Sequence, residues 1–121
     1  MLINLSNHPS KDWAPEQRER AEQLWRSVVD LPFPMISPEQ TTGEVVAMAV
    51  EYLQRCFALF DTSAEEPRAV HLMGEMTFTY NLVEMLKSND ITVDASTTER
   101  IVSIEGDVKR SIFKFVTFRE Y

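Results

Sequence analysis

Apolar positions along this chain fall into two kinds of run that alternate. "LINLS" at residues 2 to 6, "SVVDLPFP" at 27 to 34, "AVHLM" at 69 to 73 and "ITVDA" at 91 to 95 are short, nearly continuous apolar stretches of strand length. Pro9 ends the first, and Pro32 and Pro34 stop the second, because proline has no amide hydrogen for a sheet ladder. Between these runs the apolar spacing turns helical. "PEQRERAEQLW" begins with a proline suited to a first turn and has apolar residues only at Ala21, Leu24 and Trp25, which predicts a surface helix with one narrow buried face. "TTGE" at 41 to 44 has the form of a capping box, with Thr41 and Glu44 satisfying the first amides of a long helix. In that helix Val45, Ala49, Tyr52, Cys56 and Phe60 step by three or four, as do Val46, Val50, Leu53 and Phe57, giving a stripe wide enough to lie across a sheet. Gly74 turns the chain into a third helix through residue 87, with Met76, Tyr80, Val83 and Leu86 on one line and Asn89 as a left-handed C-cap.

After Ser96 the pattern changes. "TERIVSIE" and "RSIFKFVTF" are β-branched and aromatic and flank "GDVK", which predicts an antiparallel hairpin over residues 99 to 118. Strand and helix alternating, then a hairpin, give an α/β fold: a three-layer, Rossmann-like open sheet with four parallel strands, right-handed crossovers and a C-terminal antiparallel β-hairpin at one edge. The 121 residues fit one domain, residues 1 to 121.

Composition narrows the function classes. With 44% hydrophobic and 26% charged residues the chain is an ordinary globular sequence, and its net charge of −7 disfavours nonspecific attraction to long nucleic acid or an anionic membrane. No apolar run approaches the ~18 residues of a membrane span, and "MLINLSNHP" lacks the basic start and long apolar core of a leader. Cys56 is the only cysteine and sits in the apolar stripe of the second helix, so it reads as a buried, inert thiol. These features lead us to expect a cytoplasmic protein.

Parallel strands bring their carboxyl ends to one edge, where open α/β sheets hold ligands. That edge collects Ser6, Asn7 and His8, the turn at Pro32 to Pro34, Gly74 with Glu75, and the segment Ser96, Thr97, Thr98, Glu99, Arg100. The amides of residues 75 to 78 open the third helix, whose positive end suits a phosphate. Thr77 and Thr79 add hydroxyl donors, and Arg100 offers a cation, so the expected site is an anion pocket. Each residue also has a plainer role. Thr77 can be an ordinary helix-start residue, and Ser96 to Thr98 can be turn chemistry. Glu75 would repel phosphate and suits a cap, while Arg100 can pair with Glu99 or Glu75. His8 can carry a proton near neutral pH, whereas His71, inside an apolar strand, reads as a core histidine. Two distant histidines and one cysteine do not make a zinc site, and the dinucleotide, P-loop and hydrolase fingerprints are absent, so neither a metal nor a cofactor is expected.

"LINLSNHP", "AVHLMGEMTFTYNLVEML" and "ASTTERIV" with "FKFVTFREY" together resemble the small stand-alone proteins related to CARF domains, the CRISPR-associated Rossmann-fold sensors. The resemblance covers nearly the whole chain. It implies a homodimer that binds cyclic oligoadenylate, the second messenger of type III CRISPR antiviral defence, and either cleaves it as a ring nuclease or only sequesters it. Ring cleavage of that kind needs no metal: a ribose 2′-hydroxyl attacks the adjacent phosphate and leaves a 2′,3′-cyclic phosphate. On this implication Ser6, Asn7, Gly74, Glu75, Thr77, Thr79, Ser96, Thr97 and Thr98 line the ligand site, His8 carries the proton and Arg100 stabilises the phosphate. The candidate site residues include no lysine and one arginine, Arg100, which departs from what phosphate chemistry calls for. A noncatalytic binder and a flavodoxin-like protein-interaction module remain as alternatives.

Overall fold

The strand Leu2–Ser6 (β1), buried along its whole length, lies inside a five-stranded sheet in the computed structural model, which describes residues 1–121. A short 3-10 turn at Ser10–Asp12 leads into the helix Pro15–Trp25 (α1) and the three-residue strand Val28–Asp30 (β2). The helix Thr42–Phe60 (α2), the strand Ala69–Met73 (β3) and the helix Met76–Ser88 (α3) follow, and the strands Thr92–Glu105 (β4) and Val108–Glu120 (β5) close the chain. Strand order is β2-β1-β3-β4-β5, with the first four parallel and β5 antiparallel to β4. The α/β class, the parallel core and the C-terminal hairpin are those the apolar pattern predicts.

Side chains alternate between the two faces of each strand, and each face has its own helices. Ile3, Leu5, Val70, Leu72 and Val93 pack under α2 and α3, through Ala49, Cys56, Phe60, Phe78, Leu82 and Leu86 among others. On the opposite face Leu2 and Ala69 meet Ala21 and Trp25 of α1, with Trp13, Val28 and Phe118 around them. This second apolar cluster is small, because α1 reaches only the amino-terminal end of the strands. Nearer the carboxyl edge the same face presents Asn4, Ser6, His71 and Asp94, all buried. No helix is long and apolar enough to cross a membrane.

Four local expectations change. The run "ITVDA" and the first hairpin strand are one continuous strand, β4; opposite its Thr97 and Thr98 the partner strand β5 carries one extra residue, Val116, which resets the side-chain parity of β5. Only Val28–Asp30 of the second apolar run pairs, since Pro32 and Pro34 follow at once. The buried line of α3 is Phe78, Leu82, Val83 and Leu86, which leaves Met76 and Tyr80 in solvent. The left-handed residue after α3 is Asp90, at φ 59°, and not Asn89. The capping box of α2 forms as its residues require, with Thr41 Oγ1 accepting from the Glu44 amide at 3.2 Å.

Candidate functional site

Between β1 and β3 the order of the strands reverses, one crossover running to β2 and the next to the far side. That crevice at the strands' carboxyl ends is where an open sheet leaves room for a ligand. A cavity of about 570 Å³ opens there, on the face that α1 only partly covers. Ser6, Asn7 and His8 from the end of β1 form one wall, and His71, Met73 and Gly74 from β3 form the floor. Ser96 and Thr98 of β4 with Phe113 and Phe115 of β5 make the second wall, and Asp12, Trp13, Ala14 and Gln17 close the side toward α1.

The floor is organised by hydrogen bonds. Asn4 Nδ2 donates to Asp30 Oδ1 at 2.8 Å and to the His8 carbonyl at 2.8 Å, which ties the loop after β1 to the sheet. Asn4 Oδ1 accepts from Ser6 Oγ at 2.8 Å and lies 3.0 Å from His71 Nδ1. Trp13 stands edge-on to the His71 ring, with centroids 5.3 Å apart, and its Nε1 donates to the His8 carbonyl at 3.2 Å. Burial, with the neighbouring His8 second, lowers the His71 pKa to about 4, so the ring is neutral at physiological pH. Asp94 is held the other way. Burial, then repulsion from Glu120, raises its pKa to about 8, and neither carboxyl oxygen has a hydrogen-bond partner.

Of the residues expected at the site, Ser6, Asn7, His8, Gly74, Ser96 and Thr98 come together on the cavity. Five do not. Glu75 caps α3: its carboxylate accepts from the amides of Thr77 at 3.0 Å and Phe78 at 2.8 Å, which holds its pKa below the usual range. The amides expected to cradle a phosphate are therefore filled by the chain's own carboxylate. The Thr77 hydroxyl donates to the same carboxylate at 2.8 Å. Thr79, in the first turn of α3, is buried and borders a separate, smaller depression of about 340 Å³ beside Met76, Tyr80 and Tyr121. Thr97 faces away from the cavity and spans the strand irregularity, its Oγ1 accepting from the Thr117 amide at 3.2 Å. Arg100 lies farther out on the hairpin, where its guanidinium donates to Ser111 Oγ at 3.0 and 3.2 Å and pairs with neither Glu99 nor Glu75. Its distance from the cavity follows from the continuity of β4, which carries residue 100 beyond the sheet edge.

The sequence profile of the family described as "Uncharacterized protein MJ1673 family" matches residues 1–119. The chain belongs to that family. No curated protein and no solved structure matches it. In this MJ1673-family protein the residues that spacing alone passed over are Trp13, Gln17, His71, Phe113 and Phe115. Their signals were weak but real: a tryptophan in the loop directly after the first strand, and phenylalanines alternating on one hairpin strand. No Lys or Arg lines the cavity, whose ionisable side chains are Asp12, His8 and His71. No three His, Cys, Asp or Glu side chains converge into a ligand set for a metal ion. The cavity's chemistry is thus aromatic surface with neutral donors and acceptors, suited to a planar heteroaromatic group more than to a bare phosphate.

Proposed function

We propose that this protein binds an adenine nucleotide of the cyclic oligoadenylate class in the cavity between the carboxyl ends of β1 and β3. The observation that carries the reading is the lining itself. Trp13, Phe113 and Phe115 offer ring faces on which a base can stack, and Ser6, Asn7, Gln17, Ser96 and Thr98 offer directional hydrogen bonds at the crevice where open sheets bind ligands. Phosphates then lie toward solvent, where their charge stays hydrated beside a chain of net charge −7. Melting the protein with cyclic tri-, tetra- and hexa-adenylate tests this. One ring size raises Tm as its concentration rises, whereas no shift with any ring removes the reading.

A ring of several nucleotides is larger than one cavity of about 570 Å³, a size typical of sites for one small ligand at roughly 300–1,000 Å³. We therefore propose a homodimer whose two cavities share the ring, joined through the hairpin arm. Ile101, Val102, Ile104, Val108, Ile112, Phe113 and Val116 are all exposed on it. A two-stranded arm with both faces apolar is marginal in water and gains from a cover. A second copy fits by charge. Four of the twelve Lys and Arg residues, Arg100, Lys109, Arg110 and Lys114, sit on the arm with only three of the nineteen acidic residues, so the rest of the molecule is strongly acidic.

Cleavage of the ring is a second reading, favoured by one observation: His8 and His71 line the same cavity. A neutral imidazole, as His71 is, accepting the 2′-hydroxyl proton, and a second ring entering as imidazolium and giving its proton to the 5′-oxygen as the phosphorus–oxygen bond breaks, balance the reaction without a metal. Resolving products after incubation separates it from binding alone, since a sequestering protein yields no linear adenylate.

A further inference from the structure

A polar line crosses the whole sheet on the α1 side. Asp30, Asn4, His71, Asp94 and Glu120 are registered neighbours on β2, β1, β3, β4 and β5 in turn. Its first three members form a directed chain of hydrogen bonds. The Asp30 carboxylate accepts from the Ser10 amide at 3.0 Å, from Ser10 Oγ at 2.9 Å and from Asn4 Nδ2 at 2.8 Å. An ionised carboxylate can only accept, so the Asn4 atom facing it is the amide nitrogen. Both hydrogens of that nitrogen are used, on Asp30 and on the His8 carbonyl. The other end of Asn4 is then the oxygen, which can only accept, and the His71 atom 3.0 Å away must carry the proton. A neutral imidazole protonated on Nδ1 has a bare lone pair on Nε2.

That lone pair has no partner. His71 is 2% exposed, its Nε2 makes no hydrogen bond, and its ring lines the cavity. Asp94, its registered neighbour on β4, does not supply one, since neither of its carboxyl oxygens makes a hydrogen bond. A buried acceptor left unsatisfied is costly, and a ligand that supplies a donor hydrogen recovers the loss.

We propose that His71 Nε2 is the acceptor by which the cavity reads its ligand, taking a hydrogen from a neutral N–H or O–H donor such as the adenine exocyclic amine or a ribose 2′-hydroxyl. Asp30 and Asn4 are positioning residues that set the tautomer. The inference rests on the reading of the cavity as an adenine-nucleotide site. It adds the group that selects the ligand, and it explains a buried histidine that a purely apolar strand would not need.

Two measurements on the full chain test it. The long-range ¹H–¹⁵N spectrum of the ligand-free protein places the His71 proton on Nδ1 and shows Nε2 unprotonated; a proton on Nε2 overturns the tautomer and with it the proposal. Calorimetry and the same spectrum are then recorded with AMP, dAMP and IMP, which lack in turn neither donor, the 2′-hydroxyl and the exocyclic amine. AMP binds with heat and moves the Nε2 resonance, and whichever analogue lacks the donor that His71 reads binds about tenfold more weakly and leaves Nε2 in place. His71→Phe abolishes that preference while His71→Gln, which keeps an acceptor, retains most of it. Heat of binding without any Nε2 change overturns the His71 assignment alone. No heat with any adenylate, mononucleotide or ring, overturns the nucleotide reading and this inference together.

Discussion

His71 and Asp94 stand side by side in the register of β3 and β4, both almost fully buried, and each holds its neutral form at physiological pH. They share the polar half of a sheet face whose other half is covered by α1. Two titratable groups kept uncharged, with His71 Nε2 and both Asp94 oxygens unpartnered, beside a cavity make this the part of the fold where sequence has favoured a site over packing.

Asp94 makes stability depend on pH in a direction opposite to most carboxylates. Its folded pKa, about 8, lies above its ordinary value of 3.8, so between these limits the folded protein keeps a proton that the unfolded chain releases. Folding stability therefore falls as pH rises through that window and levels off above it. Asp94→Asn, which cannot ionise, raises Tm by several degrees at about pH 8.5 and changes it little near about pH 4. Thermal scans across pH check this; parallel curves for the two proteins refute it.

Gly74 is expected to tolerate no side chain. A Cβ there meets the ring of Phe33, which is itself packed edge-on against Phe78 with centroids 5.2 Å apart. Gly74→Ala must displace that half-buried ring from its contact with Phe78, a cost of about 1–3 kcal/mol by urea denaturation. Pairing it with Phe33→Leu recovers part of the loss, which a cost arising from backbone conformation would not allow.

Glu75 is expected to act on stability and not on ligand. Glu75→Ala removes the acceptor for two amides at the start of α3 and lowers Tm by a few degrees at neutral pH. Because its pKa is depressed in the fold, the difference shrinks as the solution is acidified through the carboxylate range. A variant that melts with the parent but loses adenylate affinity would return Glu75 to the binding site.

Much of the architecture was legible because burial imposes it. The five-residue apolar run ended by Pro9 and the stripe Val45, Ala49, Tyr52, Cys56 and Phe60 each correspond to an element buried as expected, while the run ended by Pro32 keeps only three paired residues. The ends of the strands were legible for the same reason, which is why Ser6, His8, Gly74 and Ser96 meet. Misplaced residues were those whose position depends on pairing over distance. Nothing local says that β4 runs on through Thr97 and Thr98, yet that continuity carries Arg100 out to Ser111. His71 was passed over because an apolar strand hides one buried polar residue well; only its partner Asn4, 67 residues away in sequence, reveals its orientation.

The hairpin arm should decide the oligomeric state. Ile112→Asn combined with Val116→Asn removes exposed apolar surface without entering the cavity lining. Light scattering gives dimer mass for the parent and monomer mass for the double variant, and added salt shifts the parent toward monomer as the arm's charge is screened. A parent that stays at monomer mass with and without cyclic adenylate contradicts the dimer.

The central claim is that an adenylate occupies the cavity between the ends of β1 and β3, and titration calorimetry with cyclic tetra-adenylate on the parent, Ser96→Trp and Arg100→Ala reads it most directly, the tri- and hexa-adenylate rings serving as alternates. Ser96→Trp fills the cavity from its β4 wall, whereas Arg100 lies outside it. The account predicts saturable binding by the parent and by Arg100→Ala to within about twofold, and loss of at least about a hundredfold in the filled variant. Binding that survives Ser96→Trp but is lost in Arg100→Ala, or no heat with any ring, contradicts it.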